Sequence, residues 1–122
     1  MGPFSDLSVL LVEDEYLIAL DAEQILKELG VAKVEIASTL PRAEERAAKG
    51  GIDIAVLDVN LNGQFSFPFA NTLRERGVPV VFASGYELRD RAPAAFEGGV
   101  CVTKPYTTER LREALSAALG NK

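Results

Sequence analysis

At 122 residues the chain has room for one globular domain, taken as 1–122 with its core over 7–119, and a content of 48% apolar and 25% charged residues suits a packed core. A single cysteine, Cys101, excludes an intrachain disulfide framework. The net charge of -5 argues against direct nucleic-acid binding, and no apolar run reaches the length of a membrane span, so no membrane contact and a cytoplasmic location are expected.

Leu7 to Val12 is an apolar run that stops at Glu13-Asp14-Glu15, and it reads as a buried strand ending in carboxylates. From Tyr16 to Leu29, Ile18, Ala22, Ile25 and Leu29 recur at helical spacing, and Gly30 ends that helix. Val31 to Ala37 predicts a wetter strand. Ser38 or Thr39 can cap the alanine-rich helix that follows, with Pro41 in its first turn and Gly50-Gly51 at its end. Ile52 to Leu57 is a strongly apolar strand that runs into Asp58, and a loop through Asn60, Asn62 and Gly63 comes next. Phe69 to Glu75 predicts a helix, and Val78 to Ala83 a buried strand followed at once by Ser84-Gly85-Tyr86. A helix over Glu87 to Phe96 is interrupted by Pro93. Val100 to Thr103 makes a short strand, Lys104-Pro105 turns the chain, and Leu111, Leu115 and Leu119 line a last helix capped by Thr107 or Thr108. Five strands alternating with helices specify an α/β fold with a mainly parallel sheet covered on both faces.

In such folds the C-terminal ends of the strands share one crevice. Glu13 and Asp14, Asp58, Ser84 and Lys104 each lie just past a strand, so carboxylates, a hydroxyl and an ammonium converge at one edge. Crowded carboxylates need a counter-charge, and with no histidine in the chain a hard cation on oxygen ligands is the natural one. Mg2+, with Mn2+ as a substitute, is expected on Asp14 and Asp58 directly, on Glu13 through water and on the backbone carbonyl of Asn60. Asp58 is then the candidate phosphoacceptor, with Lys104 pairing a phosphoryl oxygen and Ser84 donating a hydrogen bond.

The runs VLLVEDE, IAVLDVNL, VVFASG and VTKPY, in this order, resemble the receiver domains of bacterial response regulators. Each is a weak tag alone; four in register are specific. The resemblance implies a three-layer, flavodoxin-like (βα)5 fold with sheet order 2-1-3-4-5 and a cis Lys104-Pro105 bond. It implies phosphorylation of Asp58 by a sensor histidine kinase or a histidine phosphotransfer protein, in a phosphorelay. Asn60 and Tyr86 match the two variable positions that tune dephosphorylation. The chain departs from the common pattern at Leu61-Asn62, where methionine-proline is usual, and at Cys101, where a switch aromatic is usual. Cys101 on its own reads as a small buried hydrophobe. PVVFASGY resembles an atypical subgroup with a Phe-Ala-Thr/Ser-Gly-Tyr motif, in which Tyr86 could take over signalling, with Gly85 absorbing the backbone change.

The expected output surface is the face of the fourth helix, fifth strand and fifth helix, acting on a protein partner or a homodimer, with no effector domain following. A phosphorylation-independent interaction module is the alternative. A related phosphatase would need a second acid where Asn60 stands, and a flavodoxin-like cofactor protein would need a phosphate loop where EDEY stands.

Overall fold

The computed structural model describes residues 2–84 and 100–120. Its elements are β1 (Ser8–Val12), α1 (Tyr16–Glu28), β2 (Lys33–Ala37), α2 (Leu40–Ala48), β3 (Ile54–Asp58), β4 (Asn60–Leu61), β5 (Gln64–Phe65), α3 (Phe67–Glu75), β6 (Val80–Ser84), β7 (Val100–Thr103) and α4 (Thr108–Gly120). The expected helix over Glu87 to Phe96, together with Gly85 and Tyr86, lies outside the described residues.

Five strands form one parallel sheet in the order β2-β1-β3-β6-β7, the order the resemblance implies. β1, β3 and β6 are central and almost wholly buried, which is why they read as unbroken apolar runs. β2 is an edge strand in which only Ala37 is buried, matching its wetter sequence. At the far end of the sheet from the carboxylates, Asp53 Oδ2 accepts from the Ser8 amide at 2.8 Å and ties the start of β3 to β1.

Side chains alternate across the sheet and divide the core in two. One cluster joins Val9, Leu11 and Val56 to α1 and α4 through Leu26, Leu111 and Leu115. The other joins Leu10, Leu57 and Phe82 to α2 and α3 through Ala43, Phe69 and Leu73. Fully burying one such leucine stabilises the fold by about 2 kcal/mol.

Several expectations shift. On α1 the fully buried positions are Ala19, Ala22 and Leu26, while Ile18, Ile25 and Leu29 pack at the margin. The helix sits down on its small residues, so the buried stripe is rotated from the one that the larger side chains suggested. Thr39 caps α2, accepting from the Arg42 amide at 3.3 Å, and Thr107 caps α4, accepting from the Arg110 amide at 3.1 Å. The stretch through Asn60 and Gly63, read as a loop, is a two-stranded antiparallel hairpin, β4–β5. Asn62 and Gly63 take positive φ, 53° and 90°, the pairing that a two-residue hairpin turn with asparagine-glycine requires. Cys101 is exposed rather than buried. β7 is an edge strand, and its alternation turns Val102 into the α4-side core and Cys101 to the other face of the sheet.

Candidate functional site

The strand ladder fixes where the polar residues fall. The Glu13 amide continues the β1–β2 pairing by donating to the Ala37 carbonyl at 3.1 Å. Asp58 closes β3 and is registered with Ala83 on β6, while Ser84 is registered with Thr103 on β7. Lys104 follows directly, its amide donating to the Ser84 carbonyl at 2.9 Å. Glu13, Asp58, Ser84 and Lys104 therefore end adjacent rungs of one sheet edge, as the alternation of elements predicted.

Glu13, Asp14 and Asp58 each present a carboxylate oxygen, and these oxygens lie within 4.8 Å of one another. Glu13 is 1% and Asp58 7% exposed. Lys104 spans the two, its Nζ 2.7 Å from Glu13 Oε1 and 2.9 Å from Asp58 Oδ2. Backbone amides serve three further oxygens: Glu15 donates to Glu13 Oε2 at 3.2 Å, Asn60 to Asp58 Oδ1 at 3.3 Å and Asn62 to Asp14 Oδ2 at 3.2 Å.

Electrostatically the cluster is short of positive charge. Burial, opposed by the Lys104 bond and reinforced by the Asp58 charge, pushes the Glu13 carboxyl up to about 7. Burial would lower the Lys104 ammonium, but its bonds to Glu13 and Asp58 outweigh it and raise the group. Three carboxylates with one ammonium, all oxygen donors, fit a hard divalent cation.

The β4–β5 hairpin is part of this site, although sequence reading treated it as a connection. Its turn donates the Asn62 amide to Asp14, and Asn60 Oδ1 accepts from the Gly63 amide at 2.8 Å. Asn60 therefore spends its side-chain carbonyl on the turn. Ser66, which sequence reading passed over, is fully buried, and its Oγ donates to the Asp58 carbonyl at 2.7 Å. The asparagine-glycine pair could have signalled the hairpin; a single serine after it carries no comparable signal.

Ser84 lies at the edge as expected, 5% exposed, and Lys104-Pro105 is cis. Desolvation of the Cys101 sulfur raises its thiol and the Arg74 charge opposes this, so the described residues do not activate it as a thiolate. Tyr86 and Gly85 are not among the described residues. No helix among the described residues is long and apolar enough to cross a membrane.

Residues 9–116 match the family model described as the response regulator receiver domain. Among curated proteins, the chain is 31% identical to the sensory transduction protein LytT of Bacillus subtilis over 89% of its own length and 46% of that protein's. It is 27% identical to the transcriptional regulatory protein PdtaR of Mycobacterium tuberculosis, over 91% and 56% of the two lengths. The chain thus spans about half the length of the curated relatives it matches. Among solved structures, SdrG from Sphingomonas melonis superposes with a TM-score of 0.83 at 39% identity, over 94% of this chain and 98% of that one. The receiver domain of PhyR from Erythrobacter litoralis superposes with a TM-score of 0.78 at 28% identity, over 98% and 94%. The chain belongs to the response regulator receiver domains, and its clustered acids and lysine are the makings of that family's phosphorylation-based switch.

Proposed function

We propose that Asp58 is the phosphoacceptor and that a sensor histidine kinase or histidine phosphotransfer protein is the donor. The observation that carries this is Lys104 Nζ held 2.9 Å from Asp58 Oδ2, beside two further carboxylates at the same sheet edge. Asp58 attacks phosphorus, a P–O bond forms as the donor's P–N bond breaks, and the electron pair leaves with the imidazole nitrogen, which picks up a proton. The Asn60 amide and Lys104 hold the Asp58 carboxylate in place for attack. Lys104 then follows the new charge onto a phosphoryl oxygen, and Ser84 donates a hydrogen bond to another.

Mg2+, or Mn2+ in its place, would be held by Asp14, Asp58 and the Asn60 carbonyl, with Glu13 acting through water. The cation would supply charge neutralisation for the phosphoryl oxygens. Glu13 suits the outer role because it is the most buried of the three acids.

α1 begins three residues after Glu13 and leaves Tyr16 and Leu17 exposed, an apolar surface beside the acids on which a donor protein can dock. Output passes from Ser84 and Lys104 into β6, β7 and α4, towards a protein partner or a second copy of the chain. The likeness to SdrG and PhyR supports the atypical subgroup, and with it a role for Tyr86 and Asn60 in tuning the phosphoryl lifetime.

The reading is tested by intact mass of wild type and Asp58→Ala after incubation with Mg2+ and acetyl phosphate, repeated with histidine-kinase preparations. The expected result is a phosphate-sized gain in wild type alone. No gain in folded wild type with either donor would favour a phosphorylation-independent interaction module.

A further inference from the structure

Two strands of two residues each are too short to keep a hairpin in shape by pairing alone. In β4–β5, Asn60 is registered opposite Phe65, and Leu61 opposite Gln64. Leu61 is buried in the core on the α2 and α3 side and anchors the first strand. Phe65, in the second strand, is 52% exposed, an aromatic ring left half in water beside the acidic edge. That ring stacks on Phe67, 6.0 Å between centroids and 14° between planes, and Phe67 packs 5.4 Å from the fully buried Phe82 of β6. The stack ties β5 to the central sheet.

The hairpin fastened in this way reaches two of the three acids. The Asn60 amide donates to Asp58 Oδ1 at 3.3 Å, and the Asn62 amide, in the turn, donates to Asp14 Oδ2 at 3.2 Å. Asp14 lies in the connection between β1 and α1, and among the described residues no other group donates to its carboxylate. The turn is also locked from within, because Asn60 Oδ1 accepts from the Gly63 amide at 2.8 Å.

We propose that Phe65 is a positioning residue for the cation: its stack on Phe67 holds the β4–β5 hairpin against the acidic edge, so that the Asn62 amide keeps Asp14 aimed. The inference rests on the metal-dependent function proposed above. A carboxylate that turns freely loses that freedom on binding, and a donor that orients it beforehand removes part of the cost. Phe65 acts through β5, the turn and the Asn62 amide. The Asn60 side chain belongs to the same chain of contacts, since it fixes the turn that presents this amide.

The test titrates Mg2+ alone into 15N-labelled wild type, Phe65→Ala, Phe65→Tyr and Asn60→Ala, and reads the half-saturating concentration from amide shifts. Phe65→Ala and Asn60→Ala should each need about tenfold more Mg2+, the scale on which losing an outer partner weakens a metal site. Phe65→Tyr keeps the ring and should bind like wild type. In metal-free protein the Asn62 amide should exchange with deuterium slowly in wild type and faster in Phe65→Ala. Amides of β1 and β3 should stay protected in both, which separates a loosened hairpin from a lost fold. Phe65→Ala binding Mg2+ as tightly as wild type, weakening no more than Phe65→Tyr, or leaving Asn62 exchange unchanged would overturn the inference. If wild type itself gives no saturable response to Mg2+, the reading of the site falls and this inference falls with it, a result distinct from equal binding by wild type and Phe65→Ala.

Discussion

The two faces of the central sheet carry cores of similar composition, yet they treat their buried hydroxyls differently. On the α2 and α3 side, Ser66 is fully buried and paired, its Oγ on the Asp58 carbonyl at 2.7 Å. That face is further locked by Phe82, whose ring packs 5.4 Å from Phe67 and lies under the Arg74 guanidinium. On the α1 and α4 side, the buried hydroxyl is that of Tyr106, which makes no hydrogen bond with the described residues. The contrast teaches that one face spends its buried hydroxyl on holding Asp58 in place while the other leaves its own unpaired, and Lys104 bridges Glu13 and Asp58.

The largest expected effect strikes that bridge. Lys104→Met leaves Glu13 and Asp58 crowded and without a cation, so metal-free unfolding at pH 8 should show a loss of about 3 kcal/mol. Added Mg2+ should return part of it, and an unchanged urea midpoint would mean that the bridge does not hold the edge together.

Acid should relieve the same crowding. Glu13 is raised from the ordinary carboxylate value to about 7 in the folded chain, so the folded state binds a proton more tightly than the unfolded state. Its favourable contribution is then complete below about 4.5 and is lost as pH rises through about 7, on the order of 2 kcal/mol across that window. Lys104, also raised, stays charged throughout it. Metal-free wild type should therefore be more stable at pH 5.5 than at pH 8, and Glu13→Gln should flatten this difference.

The smallest effect sharpens the contrast between the faces most directly. Ser66→Ala removes a paired hydroxyl and leaves the Asp58 carbonyl short of a donor, so urea unfolding should report a loss of about 1–2 kcal/mol, against none for Tyr106→Phe under the same metal-free conditions. Equal losses would erase the distinction.

Much of this was legible in the sequence because central parallel strands are apolar on both faces. β1, β3 and β6 announced themselves as continuous runs, and each ended at a chemistry-bearing residue: Glu13, Asp58 and Ser84. The short β7 was legible for a different reason, through its stop at Lys104-Pro105. α1 was less legible, because Tyr16, Leu17 and Leu20 are apolar yet exposed, and they blur the stripe that Ala19, Ala22 and Leu26 bury. The hairpin carrying Asn60 and Asn62 was passed over because each strand is two residues long, too short for any periodicity. Ser66 and Tyr106 depend on where one oxygen lands in three dimensions, which hydropathy does not encode. Cys101 misled because a small apolar residue on an edge strand can face either way.

The most direct test of the central claim is to locate the modified residue. Phosphorylated protein would be reduced with borohydride, which converts an aspartyl phosphate to homoserine, then digested and sequenced by tandem mass spectrometry. Homoserine at position 58 is the predicted result; homoserine at Asp14 or Asp53, with Asp58 intact, would contradict it.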